Sequence, residues 1–405
     1  MPVIPFSPPR IDDKIVDAVN EALRSGWITT GPRTKRFESE ISRYCGADKT
    51  LCLNSWTNAV ELFLRWYGIG PGDEVIVPAY TYAATGNVVL HTGAKLILAD
   101  SGETALAAIE SIRSCITERT KVIMPVDIGG VPFDYPGLYS LLDEPDIRSK
   151  FVAGSTWQEK MGRILVLADA AHSFGAKREG RLSGAMADVT GFSFHAVKNL
   201  STAEGGALSF KLPSALDSDK VYSELAILGL HGQTKDALSK MQAGAWRYDI
   251  IHPGYKCNMT DIQAALGLVE LERYETETLP RRRAQSLLYD MYLSGFDWAE
   301  LPRHEALDYS SSWHLYMLRI KGIEESQRDA IIAECAANGV STNVHFVPLP
   351  MFTAYRERGY RIEDSPEAYR QYANEISLPL YYDLTGEQID TVCRVLAAAV
   401  EKVCS

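Results

Sequence analysis

Apolar and polar positions follow two different patterns along the chain. Between about residues 70 and 195, short apolar runs at 74–78, 95–99, 121–126, 164–168 and 189–194 are separated by helix-length segments. Such runs are typical of strands in a parallel sheet that helices cover on both faces. Ahead of them, apolar positions from Ile11 to Leu23 recur at helical spacing, and Gly26 closes the helix. We therefore predict an α/β fold with a mostly parallel central sheet.

The spacing of the apolar positions changes beyond about residue 280. We predict helices at 281–294, 327–338 and 388–403, and strands around 313–320 and at 341–346. The last helix is preceded by Thr385, with Gln388 three residues later, which is a capping-box pattern. Residues 143–163 form a polar insertion, although Trp157 and Met161 suggest that part of it packs. The prediction is a large domain over residues 1–275 and a smaller C-terminal α+β domain over residues 276–405.

Composition excludes several classes of protein. The 405 residues are 46% hydrophobic and carry a net charge of −11, which disfavours nucleic acid as a partner. No apolar run reaches the length of a membrane span, and the N-terminal residues do not resemble a signal peptide, so we expect a cytoplasmic protein. The seven cysteines are scattered without a C-x-x-C pair, which argues against a disulfide framework and a metal site.

Candidate chemistry concentrates at two places. Lys198 lies in a loop of small and hydroxyl residues, SFHAVKNLSTAEGGA at 193–207, where its amine could bond covalently to an aldehyde. About thirty residues earlier, a predicted buried strand ends in Asp169, and His172 follows. Strand ends of this kind open onto ligands in α/β sheets. A lysine for the aldehyde and an aspartate for a pyridinium nitrogen are what the protein supplies in pyridoxal 5′-phosphate (PLP) chemistry.

Each of these residues also has a purely structural interpretation. Lys198 could be a surface lysine, Asp169 a helix cap, His172 a core histidine and Tyr82 an ordinary core aromatic. Residues 55–58 follow an apolar run and open a helix whose free N–H groups could hold a phosphate. The basic cluster at 281–283 is expected to be a solvated helix face.

Taken together, six ordered motifs resemble the DegT/StrS-type sugar aminotransferases, which are PLP-dependent enzymes. The resemblance covers nearly the whole chain. The motifs are GWITTGP (26–32), PGDEVIVP (71–78), DAAHSFGA (169–176), the loop at 193–207, GYKCNMTDIQAA (254–265) and WHLY (313–316).

The resemblance implies a role for each candidate residue. Lys198 would bond to the PLP aldehyde and shuttle a proton, Asp169 would pair with the pyridinium nitrogen, and His172 would lie near the ring hydroxyl. Tyr82 would stack on one ring face and Ala171 would lie against the other. The phosphate would be bound by Thr57, Asn58 and Ser193.

The resemblance also implies a homodimer with shared active sites, because the Gly-Tyr segment of the family completes the phosphate site of the neighbouring subunit. Many members have asparagine after this tyrosine and arginine two residues later. This chain has Lys256 and Asn258 there, and Cys257 replaces the usual tyrosine. A phosphate contact from Lys256 is expected, but the substitution leaves its geometry open.

The expected reaction moves an amino group, from L-glutamate, to a keto group of a nucleotide-linked sugar. The Lys198 loop and the Gly-Tyr-Lys segment look more like members that aminate C4 of a 4-keto-6-deoxy sugar than those that aminate C3. Lipopolysaccharide or another surface glycan is the expected destination of the product, and antibiotic sugars are the second.

Four alternatives differ in chemistry. A sugar 3-dehydratase of the same fold carries histidine where this chain has Lys198. A cyclitol (inosose) aminotransferase shares all six motifs. A PLP-binding regulator without turnover is opposed by intact Lys198, Asp169 and His172. A nicotinamide dehydrogenase is disfavoured because no G-x-G-x-x-G follows a first strand.

Overall fold

The structure, a computed structural model, describes residues 3–235 and 247–404. The strands, in chain order, are β1 (Lys49–Leu53), β2 (Glu74–Pro78), β3 (Lys95–Ala99), β4 (Thr120–Ile123), β5 (Leu165–Asp169), β6 (Lys177–Arg178), β7 (Arg181–Leu182), β8 (Val189–Ser193), β9 (Gly206–Phe210), β10 (Ala299–Glu300), β11 (Tyr309–Ser310), β12 (Tyr316–Ile320) and β13 (Glu375–Leu378).

The helices, in chain order, are α1 (Asp13–Arg24), α2 (Pro32–Cys45), α3 (Trp56–Trp66), α4 (Ala83–Thr92), α5 (Ile109–Cys115), α6 (Tyr135–Asp143), α7 (Pro145–Arg148), α8 (Thr156–Met161), α9 (Ser218–Leu228), α10 (Asp261–Glu272), α11 (Leu279–Leu293), α12 (Glu325–Ala337), α13 (Thr353–Arg356), α14 (Pro366–Ala373) and α15 (Gly386–Cys404). Within the two described ranges, none of these helices could cross a membrane.

A mostly parallel, seven-stranded sheet forms the centre of the fold, in the order β1-β9-β8-β5-β4-β2-β3. Strand β9 runs antiparallel to both of its neighbours, and the pairings from β8 to β3 are parallel. The predicted α/β class is therefore confirmed. Because the strands on either side of β9 share one direction, β1, β5 and β8 end at the same edge of the sheet.

Alternate side chains of each central strand enter different hydrophobic cores. In β5, Leu165 and Leu167 belong to a core on one face, and Val166 and Ala168 belong to a core on the other. This alternation follows from the two-residue period of a strand. It explains why the central strands appear in the sequence as continuous apolar runs, since helices cover both faces.

The C-terminal part of the chain surrounds a separate core. The sheet β10-β12-β13 packs with α11, α12 and α15. Ile4 joins this core from the N-terminal end. The division of the chain between residues 275 and 276 stays a prediction.

Two predictions for the C-terminal part need correction. Residues 341–346 do not form a strand: they make an isolated bridge from Asn343 to Ser377, while the missed strand β13 pairs with β12. The strand predicted around 313–320 begins only at Tyr316, because Trp313 has a positive φ of 49° that interrupts extended pairing. The capping box is confirmed, since Thr385 and Gln388 exchange hydrogen bonds of 2.9 and 3.2 Å.

The predicted insertion is partly packed, as expected. It contains the two short helices α7 and α8. Trp157 lies against Trp66 with ring centroids 4.5 Å apart, and Met161 is buried.

Candidate active site

A cavity of about 600 Å³ opens where β5 and β8 end. This volume is in the range of small-molecule sites. Seven predicted site residues line it: Thr57, Tyr82, Asp169, Ala171, His172, Ser193 and Lys198. The segments that carry them are far apart in sequence, and the common strand edge brings them together.

Lys198 lies in the turns that follow β8, and its backbone N–H donates to the carbonyl of His195 at 2.9 Å. The side chain is half-buried. Burial lowers the pKa of Lys198 to about 8, although the charge of Asp169 opposes the shift. A larger fraction of the amine is therefore neutral near pH 7 than in an exposed lysine, and the neutral amine is the form that attacks an aldehyde.

Asp169 is the last residue of β5 and is only 5% exposed. One carboxylate oxygen accepts from the Thr85 hydroxyl at 2.7 Å, and the other accepts from the N–H of Ala171 at 3.2 Å. Burial nevertheless raises the pKa of Asp169 to about 6. A cation beside this carboxyl would favour its ionised form, so the site suits a protonated ring nitrogen.

His172 is held in one neutral tautomer. Its Nδ1 accepts from the N–H of Gly129 at 3.2 Å, which leaves the proton on Nε2. Gly129 has a φ of +65°, and a Cβ there would lie 2.8 Å from the sulfur of Met317. Burial, reinforced by Lys198 and His345, lowers the pKa of His172 well below its usual range. The residue is thus a neutral hydrogen-bond donor in the cavity wall.

The N-terminus of α3 forms a further part of the wall. Ser55 caps the helix by accepting from the N–H of Asn58 at 3.1 Å, and Ser55 and Thr57 line the cavity. Gly206 allows this approach: a Cβ on Gly206 would lie 2.3 Å from the backbone nitrogen of Trp56. The N–H groups of the first turn of α3 and the hydroxyls of Ser55, Thr57 and Ser193 suit a phosphate.

Tyr82 and Ala171 supply apolar surface to the cavity. Tyr82 is 61% exposed and its ring lies 5.5 Å from that of Phe346, measured between centroids. A side chain of this size, left largely uncovered, is available to stack on a planar ligand.

His314 has no predicted role, although it lies in the WHLY motif. Its ring lies 4.4 Å from that of His172, and its Nδ1 donates to the Asn199 side-chain oxygen at 2.8 Å. Asn199 directly follows Lys198 and also donates to the carbonyl of Ser312 at 2.8 Å. These contacts tie the Lys198 loop to the motif.

The expectation that 281–283 is a solvated face is wrong for Arg282. Its guanidinium is buried and donates to the carbonyls of Trp313 and His314 at 2.9 and 2.6 Å. Burial lowers its pKa to about 10. The charge is balanced by backbone carbonyls instead of water, so Arg282 fixes the backbone that carries His314.

Two predicted residues do not line the cavity. The side chain of Asn58 donates to Asn54 at 2.8 Å, and Lys256 is exposed and contacts Asn258. The N–H of Asn54 donates to the carbonyl of Cys257 at 2.8 Å, so the Lys256 segment lies beside the chain that leads into α3. The roles of both residues stay predictions.

PLP fits the residues of this cavity. When bound, it supplies an aldehyde and an electron-withdrawing ring that stabilises negative charge on an attached carbon. Lys198 is the amine for the aldehyde, Asp169 the carboxylate for the ring nitrogen, and the α3 N-terminus the anion site for the phosphate. Tyr82 and Ala171 offer surfaces for the two faces of the ring.

Comparisons with known proteins agree with this arrangement. The profile of the DegT/DnrJ/EryC1/StrS aminotransferase family matches residues 9–148 and 158–397, and the break falls within the predicted insertion. The spore coat polysaccharide biosynthesis protein SpsC of Bacillus subtilis is 33% identical over 98% of this chain and 97% of that protein.

Solved structures are similar over the whole chain. Spr1654 of Streptococcus pneumoniae, assigned as a sugar aminotransferase, matches in its PMP form with 46% identity, a TM-score of 0.95, and coverage of 99% of this chain and 100% of its own. DesV of S. venezuelae, in complex with a ketimine intermediate, matches with 27% identity, a TM-score of 0.82, and coverage of 98% and 99%. The chain therefore belongs to the DegT/DnrJ/EryC1/StrS aminotransferase family, whose aminotransferases depend on PLP.

Proposed function

We propose that this aminotransferase transfers an amino group from L-glutamate to the keto group of a nucleotide-linked sugar, a 4-keto-6-deoxyhexose. The observation that carries the proposal is the half-buried Lys198 in one cavity with Asp169, His172 and the N-terminus of α3. The sugar aminotransferase assignment of Spr1654 and the polysaccharide role of SpsC support the substrate class. The choice of C4 rests on the Lys198 loop and the Gly-Tyr-Lys segment.

In this proposal each residue has a defined task. With PLP bound, Lys198 would hold its aldehyde and would serve as the amine that takes and returns the proton at the substrate carbon. Asp169 would favour a protonated ring nitrogen, and Nε2–H of His172 would donate a hydrogen bond to the ring hydroxyl oxygen. Tyr82 and Phe346 supply apolar wall to the cavity in which the substrate would bind. The product would enter lipopolysaccharide or another surface polysaccharide, and the cytoplasmic location stays a prediction.

The substrate proposal can be tested directly. We expect purified protein with L-glutamate to aminate a nucleotide-linked 4-keto-6-deoxy sugar faster than the matching 3-keto sugar, with mass spectrometry identifying the product. Preference for the 3-keto sugar would contradict the C4 proposal, and preference for an inosose would replace the sugar class by a cyclitol. If glutamate changed the cofactor absorbance and none of the acceptors were aminated, the proposed acceptor class would be wrong.

We also propose that the active unit is a homodimer in which Lys256 of each subunit binds the phosphate in the neighbouring site. Lys256 is exposed and lies outside the cavity of its own chain, while its segment lies beside the entry to α3. A two-fold interface formed by this surface would place Lys256 of each subunit beside the α3 entry of the other.

Lys256→Ala should weaken PLP retention by roughly 1–3 kcal/mol, the usual range for a charge-assisted hydrogen bond. The dissociation constant for PLP is the measurement. Lys211→Ala is a matched control, because Lys211 is a half-exposed lysine that pairs with Asp48 at 2.7 Å. Equal PLP affinity in both variants would remove Lys256 from the phosphate site.

Subunit complementation separates the shared site from a local effect. Mixing Lys198→Ala chains with Lys256→Ala chains places both defects in one site of a heterodimer and leaves the other site intact. Activity should rise above that of either parent. No gain after verified subunit exchange would contradict the shared site.

A further inference from the structure

His345 is held rigidly in the cavity wall, near Lys198. Its backbone N–H donates to Oε2 of Glu375 at 2.9 Å, and its carbonyl accepts from the Tyr80 hydroxyl at 2.5 Å. Its ring stacks on Phe6 with centroids 5.5 Å apart, and Nδ1 lies 2.8 Å from Oγ of Ser377. The other ring nitrogen, Nε2, has no hydrogen-bond partner within the described ranges. The ring lines the cavity, so Nε2 is the atom left for a ligand.

The hydrogen bonds continue from His345 to a buried carboxyl. Oγ of Ser377 lies 2.5 Å from Oε1 of Glu375, and both residues are almost fully buried on β13. Glu375 thus contacts His345 twice, once directly at the backbone and once through Ser377. We call this chain of contacts from Glu375 through Ser377 to Nδ1 of His345 the relay.

The surroundings of Glu375 leave its charge poorly compensated. Arg319 lies opposite it on β12, but this guanidinium pairs with Glu300. Arg328 of α12 pairs with Asp329 and Glu325, and the hydroxyl of buried Tyr80 is neutral. Burial raises the pKa of Glu375 to about 8 despite the opposing effects of Ser377, the N–H of His345 and both arginines.

The protonation of Glu375 determines the tautomer of His345. When Glu375 is ionised, Ser377 donates to it and accepts from Nδ1–H, so Nε2 carries only a lone pair. When Glu375 is protonated, Oε1–H donates to Ser377, and the serine hydroxyl donates to Nδ1. The imidazole proton is then on Nε2. Burial and Lys198 lower the pKa of His345 to about 3, so the ring is neutral in both states.

We propose that Glu375 and Ser377 are positioning residues that make Nε2–H of His345 a hydrogen-bond donor to a substrate oxygen in the cavity. This inference rests on the proposed function for the identity of the substrate. The oxygen is a carboxylate oxygen of the amino donor or a sugar oxygen of the keto acceptor, and both accept a hydrogen bond. Ionisation of Glu375 converts Nε2 to an acceptor that repels either oxygen.

The tautomer can be observed without substrate. The measurement is ¹⁵N NMR of holoenzyme labelled at histidine, and loss of a signal in His345→Gln identifies His345. As the pH is raised from about two units below the pKa of Glu375 to about two units above it, Nε2 of His345 should change from protonated to unprotonated. Glu375→Gln should remain Nε2-protonated throughout, because its amide donates to Ser377 as the protonated carboxyl does. Glu300→Gln, which frees Arg319 from its carboxylate partner, should keep the tautomer change but move it to lower pH, because Arg319 lowers the pKa of Glu375. If the tautomer of His345 did not change with pH in wild type, or still changed in Glu375→Gln, Glu375 would not control it through the relay.

Binding measurements identify the substrate oxygen. The KM for whichever substrate contacts Nε2 should rise roughly tenfold at alkaline pH in wild type, which corresponds to the loss of one hydrogen bond. Glu375→Gln should abolish this rise, Ser377→Ala should remove the pH response because it breaks the relay, and Ser377→Thr should restore the wild-type response. Separate half-reactions with L-glutamate and with the keto sugar distinguish the two oxygens. If the KM values of Glu375→Gln for both substrates rose at alkaline pH as they do in wild type, the proposed contact with Nε2 would be wrong. This result would count against the contact even if the acceptor were a ketone other than the proposed sugar.

Discussion

Lys198→Ala should reduce transamination by at least about 10³-fold, because it removes both the covalent attachment of PLP and the proton-transfer group. The variant should still bind PLP through the remaining cavity residues. Its folding should be little affected, because the lowered pKa of Lys198 shows that burial of this amine is not favourable. Single-turnover rates with L-glutamate, together with the thermal midpoint, measure the two effects separately.

Lys198→Arg is the matched control for charge. It keeps a cation near Asp169 but cannot bond to an aldehyde or exchange protons at neutral pH. We expect it to be as inactive as Lys198→Ala. Near-normal rates in either variant would show that another group performs the proton transfer.

Asp169→Asn should lower the rate of both half-reactions by about 10²–10³-fold, the range found when one preorganised electrostatic group is removed from an active site. The neutral amide no longer favours a protonated ring nitrogen. The amide oxygen can still accept from Thr85, so the local hydrogen bonding is largely retained. Single-turnover rates close to those of wild type would remove the ring-nitrogen role of Asp169.

Asp169→Asn should lower activity but should raise the stability of the cofactor-free protein at neutral pH. The folded-state pKa of Asp169, about 6, lies above the reference value of 3.8, so its protonated form favours folding. This contribution is fully present below about pH 4 and is lost as the pH rises through about 6. At pH 7 the ionised carboxyl therefore costs up to about 3 kcal/mol. Cofactor-free Asp169→Asn should be more stable than wild type at pH 7 and similar to it at pH 4, as denaturant unfolding would show.

The central sheet could be predicted because its strands are buried on both faces. Each strand is an apolar run with no alternation, and the predictions at 74–78 and 95–99 coincide with β2 and β3. The C-terminal part was harder to predict. Residues 341–346 have a strand-like composition, but His345 is held by a buried carboxyl, a serine and a tyrosine instead of a neighbouring strand.

The candidate site could be predicted where short motifs contain the reactive groups. Lys198, Asp169 and His172 stand out because their loops follow strand ends, and the structure places all three at one cavity. The partners of these groups could not be predicted in the same way. Thr85 is 84 residues from Asp169, and Arg282 is 31 residues from Trp313, so only the fold brings them into contact. The run of three arginines at 281–283 predicted an exposed Arg282. Backbone carbonyls instead take the place of the water that would hydrate its guanidinium.

We expect Lys198 to be the lysine that bonds to PLP. Reducing the yellow holoenzyme with borohydride should bleach it and fix the cofactor irreversibly to one lysine. Peptide mapping by mass spectrometry should then find the adduct on Lys198 in the segment 193–207. An adduct on Lys121, Lys256 or any other lysine would show that Lys198 does not hold the cofactor.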